Sequence, residues 1–284
     1  MTNPVKIIEC PRDAMQGFSR FIPTDEKVDY INHLLRTGFH SIDAGSFVSP
    51  KAIPQMADTA EVFNRLHLST YTGLLAIVAN RRGAEQAVEF DQLDYLGYPF
   101  SISETFQQRN TNSSIEESFA NVAYIRNLCG ERAKELVLYV SMAFGNPYGD
   151  PWNVEVVEKY VKRLEGLDIK IISLADTTGM ADAGSISYLF SGLTDAYPDV
   201  EFGAHFHTRP DNWREKVDAA YVAGCRRFDG AIRGFGGCPM ADDHLVGNMP
   251  TENLLAYFDE KGIDTGIDKI LFSEAMMRAE MIFR

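Results

Sequence analysis

Three features of the sequence predict a single α/β domain, residues 1–284, folded as a (β/α)8 TIM barrel with its site at the C-terminal ends of the strands. Eight short apolar runs alternate with longer helix-like stretches. Several of these runs are apolar at consecutive positions, as suits parallel strands buried on both faces. No linker, low-complexity tract or charge block interrupts the alternation. Eight strand–helix units in one uninterrupted chain close most simply into a barrel. A doubly wound open sheet is the alternative, but the Gly-x-Gly-x-x-Gly turn usual after its first strand is absent.

The expected strands are 5–10, 41–47, 74–79, 93–98, 136–144, 170–176, 201–207 and 226–232. Between them, Thr24-Asp25-Glu26-Lys27 opens a stretch with Val28, Ile31, Leu34 and Leu35 at helical spacing. Ser114 precedes Ile115, Phe119, Val122 and Ile125, with Glu117 three residues on as in a capping box. Asn153, Asp182 and Thr251 open further helices, and Asp211 opens one that Gly224 stops. Residues 268–284 are left as a C-terminal helix.

Composition narrows the function. With 45% hydrophobic and 11% aromatic residues the chain has ample material for a packed core, which excludes disorder. The charge balance, 27 Lys+Arg against 40 Asp+Glu, gives −13 and argues against nucleic acid or an anionic membrane as a partner. A local basic cluster can still take an anionic ligand. The four cysteines, at 10, 129, 225 and 238, form no Cys-x-x-Cys pair, so neither a disulfide framework nor a zinc ribbon is expected. A reducing compartment suits them. No apolar run reaches the length of a membrane span, and no secretory, transit or peroxisomal signal is evident, so the cytoplasm is the expected location.

At the C-terminal ends of the expected strands the polar residues are of reactive types: Arg12 and Asp13, Asp43 and Ser46, Tyr139, Ser173 and Asp176, His205 and His207. Side chains two apart on a strand share a face, so His205 and His207 can reach one point. Facing Asp13, with an amide or water oxygen, they suit a divalent cation such as Mg2+ or Mn2+; Zn2+ and Fe2+ would accept the same set. The bland reading is a pair of satisfied histidines. Arg12 is either half of a surface ion pair or a planar cation placed to hold an oxyanion. After the eighth strand, Gly236-Gly237-Cys238-Pro239 puts a thiol on a glycine-rich loop, as a lid would. Cys10, Cys129 and Cys225 read as packing residues.

Longer motifs run through the chain in order. They include Pro11-Arg12-Asp13, Ser46-Phe47-Val48-Ser49-Pro50-Lys51, Pro54-Gln55-Met56 and Ser114-Ile115-Glu116-Glu117-Ser118-Phe119. Gly145-x-Pro147-Tyr148, Ser173-Leu174-x-Asp176-Thr177-x-Gly179, Ala204-His205-Phe206-His207, Gly236-Gly237-Cys238-Pro239 and Gly247-Asn248 before Thr251-Glu252 follow. From about residue 5 to about 260 the chain resembles the 3-hydroxy-3-methylglutaryl-CoA lyase family, within a wider superfamily of metal-dependent lyases and condensing enzymes. The resemblance implies the same barrel, an acyl-CoA substrate, a divalent metal, a homodimer, and cleavage of hydroxymethylglutaryl-CoA to acetyl-CoA and acetoacetate. Carried over by position, Asp13, His205, His207 and Asn248 would bind the cation. Arg12 would stabilise the enolate and Cys238 would take part in proton transfer. Ser46, Tyr139 and Ser173 would line the acyl-CoA pocket, with Asp43 and Asp176 near the reacting carbons.

The chain departs from the family pattern in four places. Glu9-Cys10-Pro11-Arg12-Asp13-Ala14 is one residue short and lacks the usual glycines, and Asp43 stands where a longer Glu is usual. Thr208-Arg209 follows the histidines where Asp-Thr is expected, and the 238–248 loop is one residue longer. These departures keep two alternatives open: a related lyase or condensing enzyme acting on another 3-hydroxyacyl-CoA or 2-hydroxy acid, and a non-catalytic barrel.

Overall fold

The computed structural model describes residues 4–68, 71–237 and 246–284. β1 (Lys6–Glu9) runs into α1 (Pro11–Gln16) and α2 (Thr24–Leu34); β2 (Ser41–Ser46) precedes α3 (Thr59–Asn64), and β3 (Gly73–Ile77) precedes α4 (Arg81–Ala87). β4 (Tyr95–Ser101) is followed by α5 (Glu104–Thr111) and α6 (Ile115–Glu131). Then come β5 (Glu135–Ser141), α7 (Val154–Glu165), β6 (Ile171–Asp176), α8 (Ala183–Ala196), β7 (Glu201–Thr208) and α9 (Trp213–Val222). β8 (Arg227–Gly230), β9 (Gly247–Asn248), α10 (Thr251–Glu260) and α11 (Lys269–Ile282) complete the order.

From β1 to β8 each strand pairs in parallel with the next, and β8 pairs with β1, setting Ile8 beside Asp229. The sheet is therefore a closed barrel, and the open-sheet alternative is excluded. β9 was not expected. It lies antiparallel on β7, with Asn248 opposite His207, and adds an extra strand at the barrel mouth.

The helix starts read from the sequence have their physical causes in place. Ser114 and Glu117 form a reciprocal capping box, and the side chains of Asn153, Asp182 and Asp268 each accept first-turn N–H groups. α9 begins at Trp213, not directly after Asp211, because Asn212 is drawn back to accept the N–H of Arg209. Gly224, at φ +99°, ends that segment as expected.

Outward-facing strand residues such as Ile7, Ile42, Leu74, Leu138 and Phe228 pack with Val28, Val122, Val157, Leu189 and Leu254 of the helices in the main apolar core. A second, smaller cluster fills one side of the barrel interior: Leu75, Ile77, Val137, Tyr139 and Ile171, with Tyr95 against it. Gly97 belongs there because a Cβ would fall 2.5 Å from Ile77 and 3.0 Å from the Tyr139 ring. The rest of the interior is polar, and it carries the site.

Candidate active site

Pro11 at the first turn starts α1 immediately after β1, where a missing N–H costs nothing. That short helix, in place of a plain loop, turns Arg12 and Asp13 into the barrel mouth, where both are buried. Arg12 grips Asp43 at the end of β2: Nε donates to both carboxylate oxygens (3.2 and 3.0 Å) and Nη2 to Oδ2 (2.5 Å). Its Nη1 donates to Asp13 Oδ1 (3.1 Å) and to Gln16 Oε1 (2.8 Å), while Gln16 Nε2 donates back to Asp13. Among the described residues these contacts use four of the five guanidinium N–H groups and leave one on Nη2.

Asp13, His205 and His207 bring one ligand atom each to within 4.8 Å of one another. His205 Nδ1 donates to Asp229 Oδ2 (3.0 Å) and His207 Nδ1 to the Thr177 carbonyl (2.8 Å). With both Nδ1 atoms carrying the proton, both Nε2 atoms present lone pairs, the tautomer a metal ligand needs. Pairing of β9 with β7 brings Asn248 alongside His207; its Nδ2 donates to the Phe235 carbonyl (2.9 Å). Its buried Oδ1 has no hydrogen-bond partner among the described residues. Two imidazoles, a carboxylate and a free amide oxygen form a hard-to-borderline donor set that fits Mg2+ or Mn2+, and that Zn2+ would also accept.

Electrostatics follow from burial and these contacts. Burial would raise the Asp13 carboxyl, but Arg12, both histidines and Asn248 together hold it below its usual value. Asp43 goes the other way: burial outweighs the Arg12 pair, Asp13 and Asp229 add to it, and its pKa reaches about 6. Burial lowers His207. It would lower His205 as well, but Asp229 and Asp13 reverse the direction and raise it.

Other expected site residues are placed differently. Asp176 is fully engaged: Oδ2 accepts from Lys216 Nζ (2.6 Å) and Oδ1 from the Ala181 N–H (3.1 Å). Lys216 also donates to the Gly179 and His207 carbonyls (3.1 and 3.0 Å), so this buried pair braces the loop after β6 and the His207 backbone. Asp176 thus has both carboxylate oxygens engaged by the protein itself. Tyr139 and Ser173 are register partners one layer below the histidines, and the Tyr139 ring meets His205 edge-on at 5.6 Å. Ser173 is 0% exposed, and its Oγ has no hydrogen-bond partner among the described residues. Ser46 is buried at the end of β2, its Oγ without a partner among the described residues, and Lys51 is exposed on the following loop. Cys238 lies outside the described residues. On either side of it, Gly237 and Val246 approach closely, and a Cβ on Gly236 would meet Asp13 O at 2.6 Å and Asn248 Nδ2 at 2.8 Å. Cys10, Cys129 and Cys225 are buried.

Sequence reasoning missed Gln16, Asp229 and Lys216. Gln16 had a signal, its three- and four-residue spacing from Asp13 and Arg12. So did Asp229, a lone carboxylate inside an apolar run. Lys216 had none, because a lysine on an amphipathic helix reads as solvated.

Comparison with known proteins agrees with this geometry. The family model described as HMGL-like matches residues 5–277. The rat protein named 3-hydroxy-3-methylglutaryl-CoA lyase, cytoplasmic, is 33% identical over 265 residues, 93% of this chain and 77% of that protein. A Pseudomonas aeruginosa protein named 3-hydroxy-3-isohexenylglutaryl-CoA/hydroxy-methylglutaryl-CoA lyase is 30% identical over 275 residues, 96% of this chain and 91% of that one. The solved structure of an HMG-CoA lyase from Acinetobacter baumannii, in complex with coenzyme A and 3-methylmalate, superposes with a TM-score of 0.92 at 34% identity. It covers 100% of this chain and 93% of that one. Matched in family, sequence and fold over nearly its whole length, the chain belongs to the HMGL-like family and is an enzyme of the lyase type.

Proposed function

We propose that the chain is a divalent-metal-dependent carbon–carbon lyase that cleaves 3-hydroxy-3-methylglutaryl-CoA to acetyl-CoA and acetoacetate. One observation carries the reading: Asp13, His205 and His207 converge at the barrel mouth with both imidazoles locked as Nδ1–H tautomers. The unpartnered Asn248 Oδ1 supports a fourth contact to the ion. Mg2+ or Mn2+ is the expected ion. Asp13, His205, His207 and Asn248 would hold it, and it would supply Lewis acidity toward the substrate's tertiary hydroxyl.

The protein's own groups do the rest. Asp43, with a pKa near 6, takes up the hydroxyl proton at its carboxylate without a large energetic mismatch near neutral pH. Asp13 stays ionised and, with Asp43, fixes the plane of Arg12. The remaining Nη2 N–H of Arg12 donates to the oxygen of the departing acetyl-CoA enolate. Cys238 protonates the enolate carbon. Asp176 acts by position, through Lys216 and the His207 backbone. Tyr139 and Ser173 support His205 from below, and Ser46 borders the acyl-CoA pocket. A cytoplasmic location follows the rat relative's description, and a homodimer follows the family resemblance; no nucleic acid or membrane partner is expected.

Purified protein with Mn2+ or Mg2+, reductant and hydroxymethylglutaryl-CoA should release acetoacetate, and no product under these conditions overturns the proposal. A second reading has a specific motive. Asp43, held by Arg12, is one methylene shorter than the Glu usual in the family, and a relative at 30% identity is named for 3-hydroxy-3-isohexenylglutaryl-CoA, so a larger 3-hydroxy-3-substituted glutaryl-CoA is the alternative substrate. Higher kcat/KM for such a substrate would favour it.

A further inference from the structure

Directly below His205 the barrel interior holds an unusual layer. Tyr139, Ser173, Gly203 and Arg227 are successive register partners across β5, β6, β7 and β8, and Asp229 lies one layer above Arg227, beside His205. Barrel layers are commonly filled by branched apolar side chains. Here Gly203 leaves space instead: a Cβ there would fall 2.5 Å from Ser173 Oγ and 3.0 Å from Arg227 Cδ.

Arg227 is 0% exposed, and among the described residues its hydrogen bond runs from Nη1 to Glu201 Oε1 at 3.3 Å. Its Nε and Nη2, Tyr139 OH, Ser173 Oγ and Asp229 Oδ1 are all buried without a hydrogen-bond partner among the described residues. These atoms belong to one neighbourhood. Asp229 and Tyr139 both bear electrostatically on Arg227, and Asp229 and Arg227 both bear on Tyr139. A guanidinium cannot shed its proton, so the N–H groups that Glu201 leaves open need acceptors, which bridging water shared across the layer supplies. Asp229 Oδ2 accepts the His205 Nδ1–H at 3.0 Å.

We infer that Arg227 is a positioning residue for the metal centre: through water held with Tyr139 and Ser173 it keeps Asp229 oriented, and Asp229 keeps His205 in the ligating tautomer. This rests on the reading that Asp13, His205 and His207 hold a divalent ion. The mechanism above does not use Arg227.

The test is a double-mutant cycle on Mn2+ binding, measured by calorimetry on wild type, Arg227→Met, Asp229→Asn and the double variant. Arg227→Met should weaken Mn2+ binding about tenfold and Asp229→Asn roughly ten- to hundredfold, the range for groups that orient metal ligands. The double variant should be no weaker than Asp229→Asn alone, because Arg227 acts through Asp229. Equal Mn2+ affinity in wild type and Arg227→Met, or fully additive losses, overturns the inference. Absence of Mn2+ binding to wild type overturns the metal reading on which it stands. Should Arg227→Met fail to fold, Arg227→Gln and Arg227→Lys replace it. Gln, polar but neutral, should show the same loss, Lys should restore most of the affinity, and wild-type affinity in Gln overturns the inference.

Discussion

The barrel interior has two unlike halves. On the β3–β6 side Leu75, Ile77, Val137 and Ile171 pack against one another and Tyr139. On the β7–β2 side stand Glu201, His205, Arg227, Asp229, Lys6 and Asp43, nearly all in ion pairs or hydrogen bonds. The apolar half needs only shape to be stable. Each group of the polar half needs a partner. Among the described residues the mouth keeps open two Nε2 atoms, one Arg12 N–H and Asn248 Oδ1, and a second open set lies one layer below on Arg227, Tyr139, Ser173 and Asp229. Lys216–Asp176, with the ammonium engaged three times and both carboxylate oxygens accepting, is architecture.

That contrast can be broken experimentally. His207→Ala removes an open-valence group from the mouth. It should lower kcat by roughly a hundredfold or more and abolish the rise in Tm with added Mn2+, with little change in the Tm of the metal-free protein. A large drop in metal-free stability would place His207 among the structural groups. Lys216→Met should do the reverse. It leaves Asp176 buried without its cation, and urea denaturation should show a loss of about 3–5 kcal/mol. Leu75→Ala, in the apolar half, should cost about 2–5 kcal/mol while leaving Mn2+ affinity as in wild type. An altered affinity would mean that the two halves are not independent.

The smallest effect concerns Glu9, which points away from the interior, where its oxygens accept the Ile232 N–H (2.9 Å) and the Thr251 hydroxyl (2.5 Å). Burial raises its pKa from 4.5 to about 8. Between those values the folded protein keeps a proton that the unfolded chain releases. The stability from this proton is full below pH 4.5 and is lost as pH rises through 8. Glu9→Gln, always neutral, should match wild type near pH 5 and exceed it near pH 8 in denaturation midpoint. An unchanged pH slope would refute the assignment.

Much of the fold was legible because its signals are local. Short apolar runs, several of them unbroken, marked the eight barrel strands, and Ser114, Asn153 and Asp182 marked helix starts through hydrogen bonds that span three residues. β9 was not legible: two residues carry no pattern, and Gly247–Asn248 is a strand only because β7 offers it an edge. In the site, the His-x-His spacing and the Pro-Arg-Asp turn could be read. Where Asp176 directs its charge could not, since that depends on a lysine 40 residues away.

The sequence by itself determined the barrel, the residue types at its mouth and the family, because apolar periodicity, capping and long motifs act over short stretches of chain. Tertiary structure alone decided which polar groups close on each other and which stay open. Arg12 and Asp43, His205 and Asp229, and His207 and Thr177 meet only when the sheet closes on itself. The physical reason is burial. In water each of these groups would be satisfied by solvent, and only inside the barrel does the choice of partner fix its charge, its tautomer and its use.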